Sequence, residues 1–166
     1  MEIMTATAEH SPIIRDIAVV TWAETYKDIL SDEQMDYMLD MMYSPASLTE
    51  QMNKHGHHFY LIRKDACVHW QGFVSYEYDY KGSRSTKLHK LYVLPECHGL
   101  GLGRILIDKV CEDARNYGNK SVLLNMNRNN QTLGFYKHIG FEIVAEEDID
   151  IGNGYLMEDY IFEKQV

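Results

Sequence analysis

The sequence predicts a mixed α and β (α+β) fold, with a sheet of about seven strands and helices flanking it. A strand, a glycine-rich turn and a helix follow one another across residues 87–118. Along the rest of the chain, β-forming runs alternate with amphipathic runs. The 166 residues are 45% hydrophobic and 25% charged, which is typical of a globular protein. We therefore expect residues 1–166 to form a single domain.

The first third of the chain predicts one strand and three helices. Residues 2–8 contain β-forming side chains and suggest the first strand. Ser11 and Pro12 are typical of a helix start, with Ser11 at the N-cap, and the helix should run to about Asp28. Residues 31–34 resemble a capping box that opens a second helix. A third short helix is expected over residues 45–54.

The middle of the chain predicts an antiparallel arrangement. Strands are expected over residues 57–63, 69–80 and 86–94, with a turn at residues 81–83. The last of these strands leads into the glycine-rich turn. After the following helix, residues 121–126 should form a strand parallel to it, because a strand–helix–strand unit is normally a right-handed crossover.

The C-terminal part predicts one more helix and two more strands. The helix should cover residues 131–139 and end at Gly140. The strands are expected over residues 141–144 and 155–163, with residues 150–154 as the connection.

The glycine-rich turn predicts an anion site. Gly99, Gly101 and Gly103 directly precede an amphipathic helix. Glycines let backbone N–H groups approach a ligand closely, and the first turn of a helix has unpaired N–H groups and a partial positive charge. Together these features favour a phosphate or diphosphate, although the glycines could instead serve only a tight turn. The spacing matches neither the dinucleotide fingerprint nor the nucleoside-triphosphate loop.

Two segments resemble the GNAT superfamily of N-acetyltransferases. Residues 98–103, after the strand Leu-His-Lys-Leu-Tyr-Val, are similar to the family's Gln/Arg-x-x-Gly-x-Gly/Ala loop, with His98 in place of Gln or Arg. Residues 129–141 are similar to its N-x-x-A-x-x-F-Y-x-x-x-G-F motif, with Thr132 in place of Ala. The resemblance implies a mixed, mostly antiparallel sheet with a V-shaped splay after the central strand.

The resemblance also implies acetyl-coenzyme A as co-substrate, without a metal. Loop amides would hold its diphosphate, and a strand edge would hold its pantetheine. The implied cofactor-binding residues are Leu91, Tyr92, Val93, His98, Gly99, Leu100, Gly101, Leu102, Gly103, Arg104, Asn129 and Tyr136.

Tyr136 and His89 are the candidate catalytic residues. The resemblance implies that Tyr136 lies beside the sulfur, where a phenol of pKa about 10 can protonate the departing thiolate and remain neutral at pH 7. Many relatives have a glutamate on the central strand that deprotonates the amine through water. Here His89 falls directly before Lys90, so that it could be the base or merely face a sheet neighbour.

The predicted reaction is direct acetyl transfer from acetyl-coenzyme A to a primary amine in a ternary complex. Residues 22–26 and 151–160 look similar to bacterial spermidine/spermine N-acetyltransferases, which implies a polyamine or another small amine. Glu24 and Tyr26 are the candidate substrate-binding residues, and Asp40, Glu158 and Asp159 also suit a cation. The alternatives are acetylation of a protein or peptide N-terminus, and a non-catalytic regulatory module that binds acetyl-coenzyme A.

Composition limits the partners. The net charge of -9 argues against a nucleic-acid surface, and no apolar run reaches membrane length. The three cysteines suggest free thiols in a reducing compartment, so that we expect a cytoplasmic protein. His55, His57 and His58 form a cluster that we interpret as structural, and no metal is expected. Relatives often dimerise, which leaves a homodimer open.

Overall fold

The computed structural model describes residues 1–166 and has a seven-stranded sheet with five helices. The strands are β1 (Glu2–Thr5), β2 (His58–Arg63), β3 (Gly72–Glu77), β4 (Ser85–Val93), β5 (Ser121–Asn127), β6 (Glu142–Gly152) and β7 (Tyr155–Gln165). The helices are α1 (Ser11–Thr25), α2 (Asp32–Tyr43), α3 (Pro45–Asn53), α4 (Leu102–Tyr117) and α5 (Leu133–His138).

The sheet has the strand order β1-β2-β3-β4-β5-β7-β6. Neighbouring strands are antiparallel except for β4 and β5, which α4 connects as a parallel crossover. The mixed, mostly antiparallel α+β fold that the sequence predicts is therefore confirmed. No helix is both long enough and apolar enough to span a bilayer.

Hydrophobic cores lie against the sheet in two clusters. One cluster gathers around α4, whose buried side chains recur at helical spacing and include Leu106, Ile107 and Val110, all 0% exposed. The other gathers residues of α1, α2 and α3 with β2 and β3. Helix α4 ends at Gly118, whose φ of 103° is the left-handed conformation expected of a C-terminal glycine.

The β4–β5 pair opens partway along its length. Pairing runs only from Ser85 with Ser121 to Leu88 with Leu124, and beyond that point β5 continues along β7. The register between β3 and β4 also shifts at this point, because Ser75 faces Lys90 and Tyr76 faces Leu88. This irregularity leaves one extra residue on β4 at the start of the splay.

Some predicted boundaries are wrong. The prediction of Ser11 as N-cap fails, because His10 occupies the cap and the buried Ser11 hydroxyl has no hydrogen-bond partner. Ser31 does cap α2, since its Oγ accepts from the Gln34 N–H at 3.1 Å. Strand β3 is shorter than predicted because left-handed backbone at Asp79 and Lys81 turns the chain after Glu77.

Strand β6 is much longer than the predicted segment 141–144. It pairs with β7 from Glu142 to Gly152. As the edge strand of the sheet it is largely exposed, and charged residues fill many of its positions. A strand with no buried face lacks the apolar alternation on which sequence reading depends.

Candidate active site

A cleft of about 930 Å³ occupies the splay between β4 and β5. Its walls come from α1, α2, the strands β4 to β7, the loop before α4 with the first turn of that helix, and α5. The cleft brings together the two segments, 98–103 and 129–141, whose motifs the sequence singles out. Residues His89 to Val93 of β4 line the cleft, and β5 does not pair with them.

The loop before α4 presents free backbone donors to this cleft. The N–H groups of Gly101, Leu102, Gly103 and Arg104 form no hydrogen bond within the protein, and no side chain caps the helix. Gly99 and Gly101 both have φ of 79°, a left-handed conformation that glycine adopts without strain. Four consecutive unpaired donors at the positive end of a sixteen-residue helix are an arrangement that suits an anion.

His98 contacts the strand edge rather than the free amides. Its Nε2 lies 2.9 Å from the Val93 carbonyl oxygen, which accepts the hydrogen bond. The side chain thus ties the loop to the end of β4. Gly103 lies close to the same strand, where an added Cβ would be 3.9 Å from Val93 Cγ2 and 4.0 Å from Leu91 Cδ2.

Two predicted cofactor-binding residues do not line the cleft. The side chain of Leu100 is 40% exposed, and Asn129 is exposed as well. Its neighbour Asn130 does line the cleft; it is 8% exposed, and its Oδ1 accepts from the Thr132 N–H at 2.9 Å. Asn129 and Asn130 are adjacent, so that the motif alone does not reveal which side chain points inward.

Tyr136 lies on α5 with its ring buried between two phenylalanines. Ring centroids are 5.8 Å from Phe141 and 6.1 Å from Phe162, and only 7% of Tyr136 is exposed. Burial raises the pKa of its phenol. The phenol therefore remains protonated at neutral pH and can donate a proton into the cleft that it lines.

His89 both lines the cleft and contacts a neighbouring strand. It is the extra residue of the β4 irregularity, and its Nε2 lies 2.9 Å from Glu77 Oε2. The edge of its ring meets Tyr80, with centroids 5.7 Å apart. Burial lowers the pKa of His89 to about 2, so that the imidazole is neutral at pH 7 and is a weak base.

Of the two predicted acceptor-binding residues, only Tyr26 lines the cleft. Its hydroxyl lies 3.3 Å from that of Tyr92, its ring packs 4.6 Å from Trp22, and burial raises its pKa. The side chain of Glu24 is 58% exposed, pairs with Lys27 at 3.1 Å, and does not line the cleft.

Asp159 is the acid that the structure places in the cleft. It lies on β7 and is 2% exposed, and its Oδ2 accepts from Asn125 Nδ2 at 3.3 Å. Burial raises its pKa. Lys87, the cation nearby, donates to Asn125 instead. The sequence suggests Asp159 only together with Asp40 and Glu158 as acids that suit a cation, whereas alternation along β7 puts Asp159 on the same face as the less exposed Met157.

Several proteins with a similar sequence or fold are N-acetyltransferases. The model of the acetyltransferase (GNAT) family matches residues 17–141. An uncharacterised N-acetyltransferase of Mycobacterium tuberculosis is 26% identical over 152 residues, which cover 90% of this chain and 94% of that protein. The L-amino acid N-acyltransferase MnaT of Escherichia coli is 32% identical over 68 residues, which cover 40% of each chain.

Solved structures share the fold over the whole chain. The crystal structure of the PaiA N-acetyltransferase from Thermoplasma acidophilum, in complex with coenzyme A, matches with a TM-score of 0.81. The two sequences are 23% identical, and the match covers 99% of this chain and 98% of that one.

Proposed function

Because this chain belongs to the acetyltransferase (GNAT) family and is an acetyl-coenzyme A-dependent N-acetyltransferase, we propose that it acetylates a small primary amine by direct attack in a ternary complex. The sulfur–acetyl bond breaks as the nitrogen–acetyl bond forms. The amine loses one proton and the departing thiolate gains one. Different residues of the cleft would accept the proton from the amine and donate the proton to the thiolate.

One observation carries this proposal: four unpaired N–H groups, from Gly101 to Arg104, and the Tyr136 phenol line the same cleft. Amides at a helix N-terminus suit a diphosphate, and the unpaired β4 edge suits the amide-containing pantetheine arm. With coenzyme A held at both points, its sulfur end is directed toward the phenol. Tyr136 is then the general acid, since it stays protonated at neutral pH.

His89 is the proposed base for the amine. The Glu77 carboxylate accepts from its Nε2–H, which leaves Nδ1 as the proton acceptor. Because its pKa is low, His89 is too weak a base to deprotonate an ammonium group, so that the amine must bind in its neutral form and pass its proton to Nδ1 as the nitrogen–carbon bond forms. The reaction should therefore speed up as the amine titrates to its neutral form.

The acceptor should bind beside Asp159. A buried carboxylate without a directly bonded cation attracts an ammonium group, and the Tyr26 ring offers an aromatic face nearby. Glu147 Oε2 accepts from the same Asn125 Nδ2 at 3.0 Å, which adds a second acid close by. Two acids around one amide favour an acceptor with more than one amino group, such as a polyamine.

Thiol release from acetyl-coenzyme A tests the proposal. The amine panel should contain spermidine, spermine, an L-amino acid and a short peptide. We expect the highest kcat/KM with a polyamine. Preference for the peptide would instead indicate protein or peptide acetylation, and coenzyme binding without acceptor-dependent thiol would indicate the regulatory module.

Paired substitutions test the acceptor site. Asp159→Asn should raise the amine KM at least about tenfold, because a hydrogen bond to a charged group is worth about 1.5–3 kcal/mol. Glu24→Gln is the matched control, since this acid is exposed and outside the cleft. A raised KM in the Glu24 variant together with an unchanged KM in the Asp159 variant would place the amine elsewhere.

A further inference from the structure

Three side chains of types that can bind a metal come together beside the cleft, from neighbouring strands and their ends. His57 directly precedes β2, Glu77 ends β3, and His89 lies on β4. His89 Nε2 is 2.9 Å from Glu77 Oε2, and His57 Nε2 is 3.6 Å from the same oxygen. The three ligand atoms all lie within 4.8 Å of one another.

The sheet register creates this cluster. His58 pairs with Tyr76 and Tyr76 with Leu88, so that the residues next to these pairs also become neighbours. The irregularity in β4 turns His89 toward them. Ligands that come from three separate strands have no recognisable spacing in the sequence, where the acidic partner Glu77 stands far from the histidine cluster at residues 55–58.

We propose that His57, Glu77 and His89 form a binding site for a divalent transition metal of the zinc class, with water completing the coordination. Two imidazoles and one carboxylate are a common zinc ligand set with an open fourth position. A tetrahedral ion with bonds of about 2.1 Å holds its ligand atoms about 3.4 Å apart. The two separations from Glu77 Oε2, 2.9 and 3.6 Å, bracket that value, and the two histidine nitrogens lie within 4.8 Å of each other.

Metal binding would replace a hydrogen bond within the cluster. In the free protein, Glu77 Oε2 accepts from His89 Nε2–H at 2.9 Å. A metal bound at Nε2 requires that proton to move to Nδ1 of the same ring.

Binding requires a small rearrangement of the two rings. They are stacked with centroids 4.1 Å apart and planes 12° from parallel. Imidazole lone pairs lie in the ring plane, so that stacked rings do not point at one common atom. No hydrogen bond holds the His57 ring in its orientation, because its Nδ1 has no partner and its Nε2 lies 3.6 Å from Glu77 Oε2, beyond hydrogen-bond distance.

A bound metal would also act on catalysis. This consequence, unlike binding itself, depends on the proposed role of His89 as base. An imidazole whose nitrogen ligates a metal, next to the added positive charge, no longer accepts a proton from the amine. The metal is therefore expected to inhibit acetyl transfer, and the site would connect enzyme activity to the metal supply.

Titration of the full chain with zinc chloride, in the absence of coenzyme A and amine, tests the site. Calorimetry should show one ion per chain, and cobalt(II) should give visible absorption bands of a low-symmetry site. His57→Gln and Glu77→Gln should each weaken zinc binding at least about tenfold. His58→Gln is the matched control, because successive strand residues point to opposite faces and His58 packs on Tyr76 instead.

Thermal melting of each variant shows whether it folds. If His57→Gln does not fold, His57→Asn and Glu77→Gln serve in its place. The proposal is overturned if the chain binds no zinc, if the His57 and Glu77 variants bind as tightly as the wild type, or if His58→Gln loses binding equally. These outcomes are independent of acetyl transfer, so that failure of the metal site and failure of the proposed function can be told apart.

Discussion

Replacing Gly101 by alanine isolates the backbone conformation that the anion-binding loop needs. At Gly101 the φ angle is 79°, and an added Cβ would meet no atom within 4 Å. The penalty is therefore conformational and not steric, about 1–2 kcal/mol for an L-residue in the left-handed region. At 1.4 kcal/mol per factor of ten, this corresponds to a roughly five- to thirtyfold change in an equilibrium constant.

Two measurements show whether this penalty lowers the affinity for coenzyme A or the stability of the free protein. If the loop of the Gly101→Ala variant relaxes in the free protein, coenzyme A binding weakens by the full factor while stability is unchanged. If the loop keeps its shape, the free energy of unfolding drops by the same amount and affinity is retained. Calorimetric Kd values for coenzyme A and urea unfolding of both proteins give the two terms, which should sum to about 1–2 kcal/mol.

Gly134→Ala is the matched control. Its φ is not in the left-handed region, an added Cβ would meet no atom within 4 Å, and Gly134 does not line the cleft. Alanine within α5 should keep coenzyme A affinity within about twofold and stabilise the helix by about 0.5–1 kcal/mol. Equal losses in both variants, or no loss in Gly101→Ala, would refute the conformational reasoning.

The remaining predictions concern the acid, the acceptor site and the core. Tyr136→Phe should lower kcat by roughly 10²–10⁴ while coenzyme A binding stays within about twofold; an unchanged kcat would exclude Tyr136 as the acid. Because burial raises the pKa of Asp159 above 3.8, its carboxylate takes up a proton earlier as the pH falls. The amine KM of the wild type should consequently rise on acidification, whereas Asp159→Asn should show a high KM that lacks this acid limb. Leu106→Ala, at a fully buried position, should cost about 2–5 kcal/mol in urea unfolding, whereas Leu156→Ala, 52% exposed, should stay within about 0.5 kcal/mol.

The sequence predicts a feature best when that feature depends on one segment alone. The spacing of Leu106 and Val110 on α4, bounded by Gly118, predicts the helix without reference to any other element. The glycines before it likewise predict an anion site from local backbone physics. The position of Tyr136 in the cleft also needs a neighbouring strand, because its ring packs against Phe162 of β7.

The sequence does not predict features that depend on contacts between distant segments. The contrast between Glu24 and Asp159 illustrates this, since both are acids within two residues of an aromatic residue in the sequence. Only the pairing of β7 with β5 buries Asp159 beside Asn125. The irregularity between β3 and β4, which brings Glu77 to His89, also depends on two strands whose register no single segment records.

The short contact between β4 and β5 has a mechanical consequence. The four residue pairs from Ser85–Ser121 to Leu88–Leu124 are the seam that joins the two halves of the sheet. A ligand that reaches across the gap beyond Leu88 would act as a brace between these halves. Amide exchange at the inner end of the seam should accordingly slow when coenzyme A is added, while the outer strand β1 keeps its rate.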